Sequence, residues 1–215
     1  MYAPRLGLSF CVVDDIVVFL DVQNDRYFAL SPSLSKTLLT LRDAVASGAS
    51  LDADAVRPLV EYGVLVEHGA AESWSSSAMH LPQREWQSNG ERARPALLTR
   101  AWVAIAATLI RLRTQRFAQV IEGPRALTNP VRGHSPSRAI ASFLLALRLF
   151  PRRLDCLPAS LALRSYLTQL SVPCELVLGV SLKPFAAHCW IEMDGMVIGD
   201  TLERVGDYIP IRRLP

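Results

Sequence analysis

Lysine is nearly missing from this 215-residue chain, since only Lys36 and Lys183 among its 23 basic residues are lysines. The arginines are scattered among apolar residues and do not cluster with aromatic side chains, as a nucleic-acid-binding surface would require. Residues 1–80 hold five basic and ten acidic residues, whereas residues 81–215 hold eighteen and ten. This contrast predicts two parts with different roles, and the acidic first part would repel phosphate, so no nucleic-acid partner is expected.

Paired cysteines, a leader and a membrane-length apolar run are lacking as well. The chain starts without a charged-then-apolar leader, and its four cysteines (Cys11, Cys156, Cys174 and Cys189) form no CxxC pair. We therefore expect neither secretion nor a zinc ribbon, and free thiols indicate a cytoplasmic location. The longest uncharged apolar run, 101–110, has about half the length of a bilayer span. The expectation is no membrane partner, no metal and no cofactor.

The patterns along the chain predict an α+β fold. Two strand-like runs flank Asn24 and Asp25, and the run before them suggests a third strand. An amphipathic helix that begins at a Ser-Pro pair comes next, and a second short helix and a short strand follow it. Residues 71–94 are rich in serine and charge and are predicted to be a linker. Beyond the linker, helices are expected at 96–120 and 136–150, then a helix beginning near Cys156 and three strands.

Cys156 has the surroundings of a nucleophile. It precedes or opens a predicted helix, with Asp155 as a candidate cap and Pro158 at an early helical position. A helix start favours anions and would lower the pKa of the thiol. A nucleophilic thiol also needs an imidazole and a group that orients it, and His188 and Asp200 are the candidates.

The hairpin between His188 and Asp200 has two reasonable registers. A two-residue turn at 194–195 pairs Cys189 with Asp200 and sends His188 to the other face, whereas a three-residue loop at 193–195 pairs His188 with Asp200. Only the second register is expected to bring the imidazole and the carboxylate together, and the sequence leaves the choice open. Each residue also has a structural interpretation, because an isolated cysteine is usually a small core residue. Cys189 is expected on the face opposite His188, which argues against it as the nucleophile.

The stretches "CLPASLALRSYL", "ELVLGV" and "PFAAHCWIEMDG", together with the closing Asp200, resemble the transglutaminase-like cysteine peptidase of lasso-peptide biosynthesis, the B protein. The resemblance spans about residues 136–210. It implies a transglutaminase/papain-like cysteine peptidase domain at 95–215, with a triad of Cys156, His188 and Asp200 that cuts the leader from a ribosomally made precursor peptide. An ATP-using macrolactam synthetase is then an implied partner. Asp207 is a weaker substitute for the aspartate, because a glycine precedes Asp200 here.

The stretch "VVFLDVQNDRYFALSPSLSKTLLTL" is similar to the small leader-recognition domain that some B proteins carry at their N-terminus. This similarity implies a winged-helix-like domain at 1–70 whose third strand and last helix hold the leader. An extended peptide that adds to an exposed strand gains main-chain hydrogen bonds, while apolar pockets give specificity. The expected groove residues are Tyr27, Leu30, Val56, Leu59 and Val60.

Two other functions fit the same residues. An acyl-enzyme that an amine resolves would make the protein an amide-forming acyltransferase instead of a hydrolase. A precursor-binding adaptor without catalysis would need none of the three triad residues. Cleavage of the precursor in natural-product maturation is the function we expect.

Overall fold

The computed structural model describes residues 2–47, 53–67, 81–123 and 135–215. The chain divides into two compact units, Met1–Met79 and His80–Pro215, which we call the N-terminal unit and the C-terminal unit. Both units mix helices with sheets. The first ten residues of the predicted linker, 71–80, lie outside the described residues.

The N-terminal unit consists of two small sheets and two helices. Strands β2, β3 and β4 form an antiparallel sheet in that order, and β1 pairs with β5. The strands predicted on both sides of Asn24 and Asp25 are present, and so are the additional strand before them and the two helices. Whether the unit is winged-helix-like stays a prediction. The elements are β1 (Tyr2–Pro4), β2 (Leu8–Val13), β3 (Ile16–Asp21), β4 (Arg26–Ala29), α1 (Pro32–Ala46), α2 (Ala53–Glu61) and β5 (Leu65–Glu67).

Local chemistry explains how this unit begins its longer helix and fixes its hairpin. Ser31 lies at the N-cap of α1, and its hydroxyl accepts the N–H of Leu34 at 3.3 Å, as the Ser-Pro start predicts. At the other end of the hairpin, the buried Asp21 carboxylate accepts the backbone N–H of Asn24 at 3.1 Å and the Arg5 guanidinium at 2.6 Å. The turn that presents β4 is therefore held by a charged hydrogen-bond network.

The C-terminal unit is built on a five-stranded sheet in the order β10-β7-β8-β9-β6, antiparallel except for the pair β6 and β9. Helix α6 packs on β8 and β7, and α3 packs on α5 and α6. The elements are β6 (Arg84–Glu85), α3 (Pro95–Thr114), α4 (Phe117–Glu122), α5 (Pro136–Arg148), α6 (Cys156–Gln169), β7 (Glu175–Leu182), β8 (Phe185–Met193), β9 (Met196–Ile198), α7 (Leu202–Gly206) and β10 (Ile209–Leu214).

Two predictions for this unit need correction. The single helix expected at 96–120 is two helices, because Gln115 leaves the helical conformation and the Arg111 guanidinium bonds the Gln115 side chain and the Gln119 carbonyl across the break. The stretch expected as a linker contains β6, which pairs with β9. Within the described residues, α3 is the one helix that is long and apolar enough for a membrane span, although part of its surface is buried.

Candidate active site

Cys156 is the first residue of α6, so the helix-start position expected from the sequence is confirmed. Asp155 lies at the N-cap with an extended backbone, but its side chain makes no capping hydrogen bond, contrary to expectation. Ser160, one turn further along α6, donates its hydroxyl to the Cys189 carbonyl of β8 at 3.1 Å. The first turn of the helix is therefore fixed against the strand that contains His188.

His188 is buried on β8, with a side chain only 2% exposed. Its ring lies 6.0 Å from the Trp190 ring and 5.0 Å from the Tyr208 ring, centroid to centroid. The residue opposite on β7 is Gly179, and a Cβ there would lie 2.8 Å from the Trp190 ring and 3.0 Å from Tyr208 Cβ. A glycine at this position makes room for the two aromatic side chains that hold the imidazole, a role that sequence analysis missed.

Asp200 reaches His188 by a route that the sequence did not predict. The hairpin adopts the two-residue turn, with Met193 paired to Met196, which was the register expected to separate the imidazole and the carboxylate. They nevertheless meet, with His188 Nε2 and Asp200 Oδ2 2.6 Å apart. The strand ends at Ile198, and Gly199 takes a positive φ of 75° that turns the chain out of the sheet. Strand alternation therefore no longer fixes the direction of the carboxylate.

The carboxylate of Asp200 is also held from its other side. Its Oδ1 accepts the backbone N–H of Thr201 at 2.9 Å. The next N–H, that of Leu202, donates to Glu85 Oε1 at 2.7 Å, so the two-residue strand β6 supports the loop. Glu85 was hidden in the predicted linker, and no periodic pattern marks it. Asp207, the substitute considered from the sequence, is exposed at the end of α7.

The electrostatics of the site favour a thiolate and an imidazolium. Hydrogen bonds with the side chains of Cys189 and His188 lower the pKa of Cys156 from 9.0 to about 4, against the opposing effect of burial. Burial acts to lower the pKa of His188, but hydrogen bonds and charges from Asp200 and Cys156 outweigh it and raise the pKa from 6.5 to about 9. The His188 hydrogen bond likewise overcomes burial and lowers the pKa of Asp200. At neutral pH the three side chains hold alternating charges.

The other three cysteines lack this environment. Burial raises the pKa of Cys11 to about 12 and that of Cys174 to about 11. The pKa of Cys189 is raised as well, first by its hydrogen bond with Cys156 and then by burial. Cys156 is therefore the one thiol of the chain whose pKa favours the nucleophilic form.

Cys189 lies on the face of β8 opposite His188, as expected, but this face is not remote from Cys156. Interactions with the side chains of Cys156 and Ser160, which lie one turn apart on α6, shift the pKa of its thiol. Because side chains alternate along β8, Cys189 and His188 point to opposite faces of the sheet. The face with Cys189 is the one that packs against α6. Because Cys156 opens that helix, the second thiol contacts the first.

A buried charged network supports the aromatic side of the site. Trp190 donates its indole N–H to Glu192 Oε1 at 2.7 Å, and Arg213 of β10 donates to Glu192 Oε2 at 2.8 Å. These residues fix the indole that lies beside His188. Among the described residues there is no group of three or more His, Cys, Asp or Glu side chains suited to a metal ion.

The groove residues predicted in the N-terminal unit divide into two sets. Leu30, Val56 and Leu59 are at most 3% exposed and belong to the core of the unit, so the expectation that they line an open groove is wrong. Their apolar spacing reflects packing of β4, α1 and α2. Tyr27 and Val60 are only partly buried, and Val60 lies against the edge of the same core.

Two aromatic residues were overlooked at the side of β4 that faces α2. Phe28 stacks on the core residue Phe19 with ring centroids 5.1 Å apart, and its ring lies 6.1 Å from that of Tyr62, just beyond α2. Tyr62 is 53% exposed. Since side chains alternate along a strand, Tyr27 points away from this aromatic pair. Phe28 and Tyr62, which we call the aromatic pair, therefore offer a partly exposed apolar surface beside β4.

A low-pKa cysteine on a helix start lies beside a histidine of the neighbouring sheet and an aspartate of the loop after β9, an arrangement suited to nucleophilic thiol chemistry. The sequence model of the transglutaminase-like superfamily matches residues 73–213, which hold all three side chains. The chain therefore belongs to the transglutaminase-like superfamily, which comprises cysteine peptidases and acyltransferases.

One curated relative is similar over a shorter stretch. The microcin J25-processing protein McjB of Escherichia coli is 39% identical over 59 residues. That segment spans 27% of this chain and 27% of the relative. No solved structure matches the chain.

Proposed function

We propose that this protein is a leader peptidase of lasso-peptide biosynthesis that binds a ribosomally made precursor with its N-terminal unit and cuts it with Cys156, His188 and Asp200. The main support is the hydrogen-bonded series of thiolate, imidazolium and carboxylate in the C-terminal unit. Further support comes from the resemblance of residues 136–210 to the B proteins and from the local identity with a microcin-processing protein. Hydrolysis would take place in the cytoplasm, where free cysteines persist.

The chemistry follows from the charges of the site. The Cys156 thiolate attacks the scissile carbonyl, and the negative oxygen that forms is stabilised by the Cys156 backbone N–H, which as a first-turn donor has no partner within the helix. His188 gives its proton to the leaving amine, so a thioester with Cys156 remains. The neutral imidazole then takes a proton from water, which attacks the thioester and releases the leader. Asp200 orients the imidazole and stabilises its charged form.

The leader is proposed to bind beside β4 of the N-terminal unit. Among the described residues β4 is an edge of its sheet, so its outer N–H and C=O groups suit an added peptide strand. The aromatic pair, Phe28 and Tyr62, with Val60 nearby, offers the apolar contact that gives such binding its specificity. The Asp21 network fixes the hairpin, so little order has to be created on binding.

The cleavage step is tested by intact-mass spectrometry of the neighbouring precursor peptide after incubation with this protein, with and without the macrolactam synthetase. Separate leader and core masses are expected, and Cys156→Ala should abolish them. A product that has joined an added amine, without gain of water, would make the protein an acyltransferase. A precursor that binds but stays whole with both wild type and Cys156→Ala would refute the peptidase and leave an adaptor.

The leader site is tested separately by fluorescence anisotropy of a labelled leader peptide. Tyr62→Ala should weaken binding by about tenfold or more, as removal of an exposed aromatic anchor does. Tyr27→Ala, which changes the opposite side of β4, is the matched control and should bind like wild type. Equal losses in the two variants would contradict the proposed surface. Alkylation of Cys156 by iodoacetamide should stay the same in both.

A further inference from the structure

A second thiol lies directly against the proposed nucleophile. Cys189 is 3% exposed on β8, and interactions with the side chains of Cys156 and Ser160 shift the pKa of its thiol. These two residues lie one turn apart on the same face of α6, and the Ser160 hydroxyl also bonds the Cys189 carbonyl at 3.1 Å. The strand and the helix start are thus fixed against each other, and each of these two facing elements holds one of the two free thiols.

We propose that hydrogen peroxide converts Cys156 and Cys189 into a reversible disulfide, which switches the site off and protects the nucleophile from irreversible oxidation. This inference rests on the proposed function only in taking Cys156 as the reactive thiolate. The S–S bond, about 2 Å long, can form by side-chain rotation together with a small shift of the helix start, because the Ser160 hydrogen bond already holds that part of α6 against β8.

The reaction balances in two steps. The Cys156 thiolate attacks one oxygen of the peroxide, so that an S–O bond forms, the O–O bond breaks and hydroxide leaves to become water. Cys189 then loses its proton and attacks the Cys156 sulfenic sulfur, so that the S–S bond forms and the S–O bond breaks with release of a second water. The two thiols together lose two electrons, and the peroxide gains them.

The order of the two steps follows from the different environments of the thiols. Cys156 is the thiolate and therefore reacts first with peroxide. The hydrogen bond with that thiolate is the largest cause of the raised pKa of Cys189, and its negative charge adds to the effect. Once Cys156 is a neutral sulfenic acid this charge is gone, so Cys189 gives up its proton more readily. The first oxidation thus activates the second thiol.

The test treats the full-length protein with hydrogen peroxide and maps its peptides without reduction. The wild type should yield a linked peptide pair containing Cys156 and Cys189, and it should recover its original iodoacetamide reactivity after dithiothreitol. Cys189→Ala should recover several-fold less of its own untreated reactivity, because Cys156 then proceeds to sulfinic acid. Cys189→Ser serves as a second variant with a smaller change in shape.

Cys174→Ala, which removes a thiol outside the site, is the control and should recover like wild type. Absence of the linked pair in the wild type, or equal recovery in Cys189→Ala and wild type, would overturn the proposal. None of these measurements needs a precursor peptide. A failure of the disulfide is therefore distinguishable from a failure of the peptidase.

Discussion

Replacing Asp200 by asparagine tests the part of the site that the sequence placed least securely. Asparagine keeps the shape and the Oδ1 acceptor for the Thr201 N–H, but removes the negative charge 2.6 Å from His188 Nε2. A hydrogen bond to a charged group contributes about 1.5–3 kcal/mol. At about 1.4 kcal/mol per factor of ten, kcat/KM for precursor cleavage should fall by about 10- to 150-fold.

The pH dependence of this variant gives a sharper result than the rate. Burial acts to lower the pKa of His188, but hydrogen bonds and charges from Asp200 and from Cys156 together raise it to about 9. Without the Asp200 charge, the alkaline limb of kcat/KM should move down by about one to three pH units. Asp207→Asn is the matched control, because Asp207 is exposed and should show neither effect. A wild-type rate and an unmoved limb in Asp200→Asn would refute the proposed dyad.

Two further predictions concern packing and protonation. Gly179→Ala should lower the free energy of unfolding by about 1–3 kcal/mol, as measured by thermal denaturation, because the new methyl group would lie 2.8 Å from the Trp190 ring. Gly206→Ala is the control and should leave the free energy of unfolding unchanged, because its methyl group would have no other atom within 4 Å. In the wild type, kcat/KM should rise as pH increases through about 4, where the Cys156 thiolate forms, and fall as it passes about 9, where His188 loses its proton. A rise near pH 9 instead would contradict the ion pair.

The positions of Cys156 and His188 could be predicted because their signals are local. Cys156 stands directly before a helical pattern, and this pattern predicts its place at the start of α6. His188 lies within an apolar run that itself predicts strand β8. The aspartate was harder, because strand alternation applies only while the chain stays in the strand. A single positive φ at Gly199 ends that regularity, so the expectation that only the three-residue loop would bring His188 and Asp200 together was wrong.

The remaining differences arise from information that a linear pattern does not contain. Apolar spacing in the N-terminal unit is the same for a groove and for a core, and Leu30, Val56 and Leu59 belong to the core. The contact between Cys189 and Cys156 depends on which face of β8 the helix covers. Strand β6 has only two residues, too few for any periodicity. Its pairing to β9 is visible only in three dimensions.

The hydrogen bond from the Leu202 N–H to Glu85 decides where the C-terminal unit can be separated from the rest of the chain. A cut at residue 94, where the composition of the sequence changes, would discard β6 and leave the loop after Asp200 without its acceptor. A separately folding C-terminal unit therefore has to begin before Arg84. The serine-rich and charged stretch ahead of α3 therefore contributes β6 to the C-terminal unit, so its later part belongs to a folded sheet.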